Sequence, residues 1–347
     1  MANPISADDS FLAFGFPRYT ANEGERGFIG EQFFLPGEKR YVPQINSHSL
    51  NFETTRQERT WVNGRRTLSD SIELNGTVSG DVVMPLQWGD TCDNMMAMVL
   101  KSRWGMSVTN SFTPNDRQMV VGNADRWSAV IETVNWANPT AEVTQRFMAC
   151  QFTSFGINIA PQNVATITGS VMGRELNKEL SGDRKKISFD KQSSAVYIRQ
   201  TSPPIPGRNY TIVIRDPEQS GTIGDYCFTS ADLNAVTDAE QRFCIGSRGA
   251  TGIRMGGFNV TLDLSLYTHV HTSRLWQRFR DDRPLDVELR YTGNGRGFTF
   301  RLPYCRIQSM TAPIGGPNSD VMTNLSLVGT DSRWKTPLVI TKMDYTT

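Results

Sequence analysis

Three histidines, five cysteines and a cluster of glycines are the residues whose chemistry has to be weighed first. His269 and His271 alternate along one strand-like run and so share a face, which is what two imidazoles need to hold a metal ion, but no third ligand stands at a recognisable spacing. With His48 they are read as strand histidines. Cys92, Cys150, Cys227, Cys244 and Cys305 show neither a paired metal spacing nor a disulfide framework, and none has a histidine close by in sequence to activate it. No serine is framed by a nucleophile elbow. Gly246, Gly249, Gly252, Gly256 and Gly257 lack the Lys-Ser/Thr ending of a phosphate loop and lead into a strand, so they read as a flexible loop that lets backbone pack closely. The expectation is a protein without catalytic residues, cofactor or metal.

The elements that would carry such residues are organised around a doubled hairpin instead. Residues 146–173 (RFMACQFTSFGINIAPQNVATITGSVMG) and 301–329 (RLPYCRIQSMTAPIGGPNSDVMTNLSLVG) both read as a strand into a Cys, a second strand, a Pro-marked turn and a polar strand ending in Gly. Cys150 and Cys305 are 155 residues apart, as are Ser154 and Ser309, whereas Gly173 and Gly329 are 156 apart, so one residue inserted in the turn accounts for the difference. Ala165, Ile167, Gly169, Val171 and Gly173 alternate with Thr166, Thr168 and Ser170, and Val321, Leu325 and Leu327 with Asn324 and Ser326. Such period-two alternation marks a strand with one face buried and one wetted.

A chain of 347 residues fits roughly two domains. Its 38% hydrophobic and 20% charged residues allow an ordinary core in each. With 36 Lys and Arg against 35 Asp and Glu there is no overall field to draw nucleic acid or an anionic membrane. The cysteine pattern suits a reduced cytosol. The start MANPISADDS has no signal-peptide pattern, and no stretch approaches the ~20 apolar residues of a membrane helix.

In chain order, residues 1–44 form an aromatic-rich arm (Phe11, Phe14, Phe16, Tyr19, Phe28, Phe33, Phe34) without periodicity, which either packs on its own domain or reaches a neighbouring subunit. A first domain spans 45–176. After a loop over 54–70, its long strand sets Ile72, Leu74, Gly76, Val78, Gly80, Val82 and Met84 against Ser71, Glu73, Asn75, Thr77, Ser79 and Asp81. That length favours a large sheet or barrel over a compact sandwich. Asp90 is expected to cap a helix carrying Cys92, Met96, Val99, Leu100 and Arg103, residues 105–126 read as loop, and 127–134 as a strand. A polar linker (177–193) leads to a second domain (194–335). There 216–252 reads as a loop, Phe258, Val260, Leu262, Leu264 and Leu266 alternate with Asn259, Thr261, Asp263, Ser265 and Tyr267, and Ser273 is expected to cap a short helix. Asn294-Gly295 joins two further strands as a hairpin, and 336–347 is a tail. The first loop holds Arg56, Arg59, Arg65 and Arg66; the second holds Asp225, Asp232, Asp238 and Glu240 with no Lys or Arg between 216 and 240.

A polar-faced long strand, a helix, a strand pair, then the Cys hairpin ending VMG or LVG resembles the tail tube (major tail) proteins of long-tailed, non-contractile bacteriophages, in the form whose tube domain is duplicated. The resemblance covers about residues 45–335. It implies a mainly β fold of two tandem sandwich or barrel domains, each flanked by a helix, whose sheets join between neighbours into a tube wall. It implies a virion protein assembled in the bacterial cytoplasm, with three two-domain chains per ring, rings stacked helically, and the genome passing through the lumen on ejection. Its partners would be further copies of itself, the tail terminator and tail tip proteins, a tape measure protein inside the tube, and double-stranded DNA in transit without specific binding; no membrane is involved. On this reading Glu73, Asn75, Thr77, Ser79, Asp81, Asn259, Thr261, Asp263 and Ser265 line the lumen, and Arg56, Arg59, Arg65 and Arg66 meet Asp225, Asp232, Asp238 and Glu240 between rings. The alternative is a β-sandwich binding module of a phage baseplate or spike, or a cell-surface carbohydrate binder working through Trp61, Trp136 and Trp334.

Overall fold

A computed structural model of the chain describes residues 10–16, 39–58, 71–102, 104–105, 116–122, 129–135, 144–176, 196–200, 202–218, 221–245, 249–293, 296–314, 319–331 and 336–344. The first half runs β1 (Ser10–Gly15), β2 (Lys39–Val42), β3 (Ser47–His48), β4 (Asn51–Glu58), β5 (Ser71–Pro85), α1 (Asp90–Val99), β6 (Asp116–Val120), β7 (Ala129–Asn135), β8 (Thr144–Ile159), β9 (Thr166–Gly173) and β10 (Glu175–Leu176). The second runs β11 (Val196–Arg199), β12 (Tyr210–Arg215), β13 (Phe228–Arg242), β14 (Gly252–Tyr267), α2 (Thr272–Arg280), β15 (Leu285–Gly293), β16 (Arg296–Thr311), β17 (Met322–Gly329) and β18 (Val339–Asp344). The fold is mainly β and almost wholly antiparallel, β2 with β11 being a parallel pair. The order β4, β5, α1, β7, β8, β9 recurs as β13, β14, α2, β15, β16, β17, with the same partners paired in each run.

The alternation of the long strands sets the core. Val78, Val82 and Met84 of β5 and Val260, Leu262, Leu264 and Leu266 of β14 are buried, each worth about 1.5–3 kcal/mol against exposure. α1 closes one side of this core with Cys92, Met95, Met96 and Val99, all buried. Its methionines are packing residues, as their type suggested.

Two strands change partners along their length and so turn the sheet through a corner. β8 pairs with β7 and β10 over its first half, then with β9 and β13. β16 pairs with β15 and β18, then with β17. At the handover in β8, Ala149 adopts φ 49 beside a register slip in the β7 pairing, a bulge that bends the strand. The repeated Cys and Gly sit at this corner. A Cβ on Gly173 would lie 2.8 Å from Cys150 Sγ and 2.9 Å from Val78, and one on Gly329 would lie 2.5 Å from Val260 Cγ1. The shared glycine is therefore a packing requirement in both runs.

Several expectations need correction. The arm is not irregular throughout: β1 pairs with β7, and Phe14, stacked on Phe152 at 6.3 Å, and Phe16 pack on their own chain, whereas Tyr19, Phe28, Phe33 and Phe34 lie outside the described residues. Within 105–126 lies β6, and the tail holds β18, which pairs with both β16 and β6. The span 54–70 begins as the end of β4, and 216–252 contains all of β13, whose inner residues Ala231, Leu233, Ala235 and Thr237 are buried. Gly252, Gly256 and Gly257 belong to β14, not to a loop. Asp90 and Ser273 lie inside their helices, not at the cap; at α2 the Thr272 hydroxyl accepts from the His269 amide, 3.1 Å. The linker lies outside the described residues. The Asn294-Gly295 hairpin agrees with the pairing of Gly293 with Arg296 across it.

Two measurements test this packing. Gly173→Ala should cost about 1–3 kcal/mol in denaturant unfolding, the range for overpacking a filled site, while Gly252→Ala, with nothing within 4 Å of the new Cβ, should stay within about 0.5 kcal/mol. Burial pushes the Cys92 thiol up to about 12 and those of Cys150 and Cys305 higher, whereas Cys227 and Cys244 are exposed. A thiol reagent should thus titrate two cysteines in the folded single chain and all five after unfolding.

Candidate functional site: a polar sheet face and two open edges

Residues directly opposite on paired strands point to the same side of a sheet. By that rule Thr166, Asn158, Asp232, Asp263, Ser326 and Ser309 form one row across β9, β8, β13, β14, β17 and β16. Thr168, Gly156, Asn234 and Thr261 form the next. The row between them, Ile167, Ile157, Leu233, Leu262, Leu327 and Ile307, points the other way and is buried. One continuous sheet thus has an apolar face on the core and a polar face of hydroxyls, amides and carboxylates. That face is cross-linked: Asn158 Nδ2 donates to the Asp232 carboxylate, and Ser265 Oγ donates to Asn324 Oδ1 at 2.8 Å.

Of the residues expected on this face, Ser79, Asp81, Asn259 and Asp263 are exposed, and Asn75, Thr77, Thr261 and Ser265 are half-buried, while Leu74, expected on the opposite, buried face, is 44% exposed. Glu73 occupies its place in β5, opposite Arg56 of β4. Arg56 is exposed at the outer end of that hairpin, while Arg59, Arg65 and Arg66 lie outside the described residues, as do Trp61, Trp136 and Trp334. Asp225 is exposed just before β13, and Asp238 and Glu240 are exposed near its far end. Asp232 is in mid-sheet beside Asp263, so it is brought together with the polar face and not with the other acids.

The feature that the residue reading missed is where the two halves meet. Residues 154–159 of β8 pair antiparallel with 231–236 of β13, so the sheet of the first half runs unbroken into that of the second. The signal was present in the alternation of Ala231, Leu233, Ala235 and Thr237 with Asp232, Asn234, Val236 and Asp238, obscured by small inward residues and many acids. At the ends of this sheet two edges stay open among the described residues. β4 is paired with β5 alone, and the last residues of β16 are paired with β17 alone.

His269 and His271 lie edge to face at 5.6 Å with Tyr226 stacked on His269, and no group of three metal-ligating side chains occurs among the described residues. In the cleft beside α2, Arg278 is engaged by Asp216 and Arg274 donates to the Ile223 carbonyl at 2.8 Å.

No helix of the described residues is long and apolar enough to cross a membrane. A search of curated proteins finds no match. The family model described as phage tail tube protein matches residues 14–329, a span that takes in the polar sheet face, the junction between the halves and both open edges. The chain belongs to the phage tail tube protein family.

Proposed function

We propose that the chain carries two tandem tube domains, 45–176 and 194–335, and that three chains close into a ring whose joined sheets surround a lumen. Rings stack helically into the tail tube of a long non-contractile tail, the conduit for genome ejection. The observation that carries this reading is the β8–β13 pairing, since it joins two such sheets edge to edge with their polar faces on one side. A heterologous contact of that kind repeats until rotation closes it, and closure removes the open edges.

The internal junction supplies a register for the one between chains. Ser154 faces Val236 and Phe155 faces Ala235. In the second run Ser309 and Met310 hold the places of Ser154 and Phe155, and in the first run Glu53 and Phe52 hold those of Val236 and Ala235. The end of β16 would therefore lie along β4 of the next chain, with Ser309 opposite Glu53, Met310 opposite Phe52 and Thr311 opposite Asn51. Pro313, which has no N–H, limits the pairing beyond Ala312.

On this reading the lumen wall comprises Asn75, Thr77, Ser79 and Asp81 with Asn259, Thr261, Asp263 and Ser265. Glu73 stands at its rim, and Asp232 joins the wall in place of an inter-ring contact. Contacts between rings fall to Arg56, Arg59, Arg65 and Arg66 against Asp225, Asp238 and Glu240, where opposite charge sets register more than affinity. Tail terminator, tail tip and tape measure proteins complete the tail, and DNA passes without specific binding.

Native mass measurement of rings released from tubes should give three chains; six would overturn the two-domain ring. Replacing Asp81 and Asp263 by Lys should leave assembly intact and slow genome ejection, because added cations gain phosphate affinity through counterion release. The slowing should weaken as salt is raised, and unchanged ejection at low salt would remove these residues from the wall.

A further inference from the structure

The two helices end alike and are covered differently. Each closes on a residue in the left-handed region, Lys101 at φ 48 and Asp282 at φ 49, and the next amide reaches back, Ser102 to Ala97 O at 3.0 Å and Arg283 to Arg278 O at 2.9 Å. Val99 and Arg280 thus hold the same place as last residues of α1 and α2. Yet α1 is buried along almost its whole length, while α2 buries only Thr272 and Leu275 and leaves Trp276 38% exposed. α1 lies on β8 and β2, and the outer half of the β13–β14 hairpin completes its cover at the C-terminal end. The buried Thr237 donates its hydroxyl to the Val99 carbonyl at 2.8 Å, and Lys101 Nζ donates to the Met255 carbonyl at 2.7 Å.

The hairpin that corresponds to this cover is β4–β5. Thr54 faces Gly76 as Thr237 faces Phe258, and both hairpins slip register within two residues of that pair, between Thr55 and Arg56 in one and between Thr237 and Ala239 in the other. The position from which Thr237 makes its contact is a threonine in both. β4 is also the strand that lies, on the ring reading above, against the end of β16 in the next chain, and α2 packs against β16.

We propose that the exposed face of α2 is covered by the β4–β5 hairpin of a neighbouring copy of this chain. Thr54 then donates to the carbonyl of Arg280 as Thr237 does to that of Val99. The inference rests on the ring reading and extends it, since it makes a helix face the second part of an interface whose first part is a strand edge. The occupant is another copy because the chain already builds this seat once, from the same helix ending and the same hairpin position. The side chains fit their separate tasks: Met95, Met96, Met98 and Val99 are all buried within the chain, whereas Arg274, Gln277 and Arg280 keep α2 wetted until a neighbour arrives.

Hydrogen exchange on the unaltered protein, compared between single chains and rings verified by electron microscopy, tests this. Amides of α2 and β4 should both slow by about tenfold or more in rings. In a Cys227→Ser, Cys244→Ser background, Thr54→Cys with Arg280→Cys should give disulfide-linked chains in oxidised rings, and either cysteine alone should not. Rings in which α2 exchanges as fast as in the single chain overturn the proposal, and so do rings with α2 protected but no cross-link. If the altered protein forms no rings, protection of α2 without β4 in unaltered rings overturns it, and protection of both supports it. Failure of the unaltered protein to form rings defeats the ring reading itself, an outcome microscopy distinguishes from the others.

Discussion

The pairing of residues 154–159 with 231–236 is the constraint on which the rest of the molecule depends. A sheet with one apolar face can be buried from one side only, so each half alone would present a strand edge and a polar face to water. Joining the edges inside one chain satisfies their backbone groups at no cost in association entropy. It also commits the polar faces of the two halves to the same side, because register, once fixed, decides the side of every residue along a strand. The alternation of β5, β9, β14 and β17 then follows from a single geometric decision made between β8 and β13.

A second tie fixes how the halves sit on one another. β18 pairs with β16 of the second half and with β6 of the first, and carries Lys342 into the core. The ammonium lies 4.0 Å from the Trp88 ring centroid and is engaged by Asp93 of α1. A lone buried charge would be very costly, whereas a paired one held over an aromatic face is tolerated and is demanding about geometry. That demand suits a chain whose two sheets must meet at a set curvature. Beside it, Arg301 grips Asp286 through two hydrogen bonds of 2.7 and 2.9 Å, holding β16 to β15 before the corner.

The parts legible in the sequence were those where one physical rule acts alone. The alternation of β5 and β14 survives because one face is core and the other wetted from Val78 to Met84 and from Val260 to Leu266, and the Cys–Gly recurrence survives because each glycine is pressed by a side chain. The parts that were not legible are those where two rules compete. β13 sits at the end of an acid-rich span, 216–240, and its inward residues are mostly small, so composition suggested a loop where register makes a central strand. β18 hides its inward face because Lys342 stands on it beside Ile340, and only the Asp93 and Trp88 partners on distant elements make burial of that charge tolerable. β1 escaped because the strand it pairs with, β7, is more than a hundred residues away. No local pattern carries such a partner.

The contrast between α1 and α2 shows what distinguishes a contact within this chain from one that forms afterwards. The buried surface of α1 is largely methionine and valine, and its cover, completed by the β13–β14 hairpin, is present as soon as the chain folds. A methionine surface of that size left bare on a single chain would invite indiscriminate association before ordered assembly. α2 carries arginine and glutamine on the corresponding surface, with Trp276 partly exposed among them. Such a face stays soluble alone and still offers an aromatic and backbone acceptors to a partner that brings the right strand edge with it. Where a fold must be both a finished domain and half of an interface, the chemistry of the helix surface has to follow the order in which the two contacts are made.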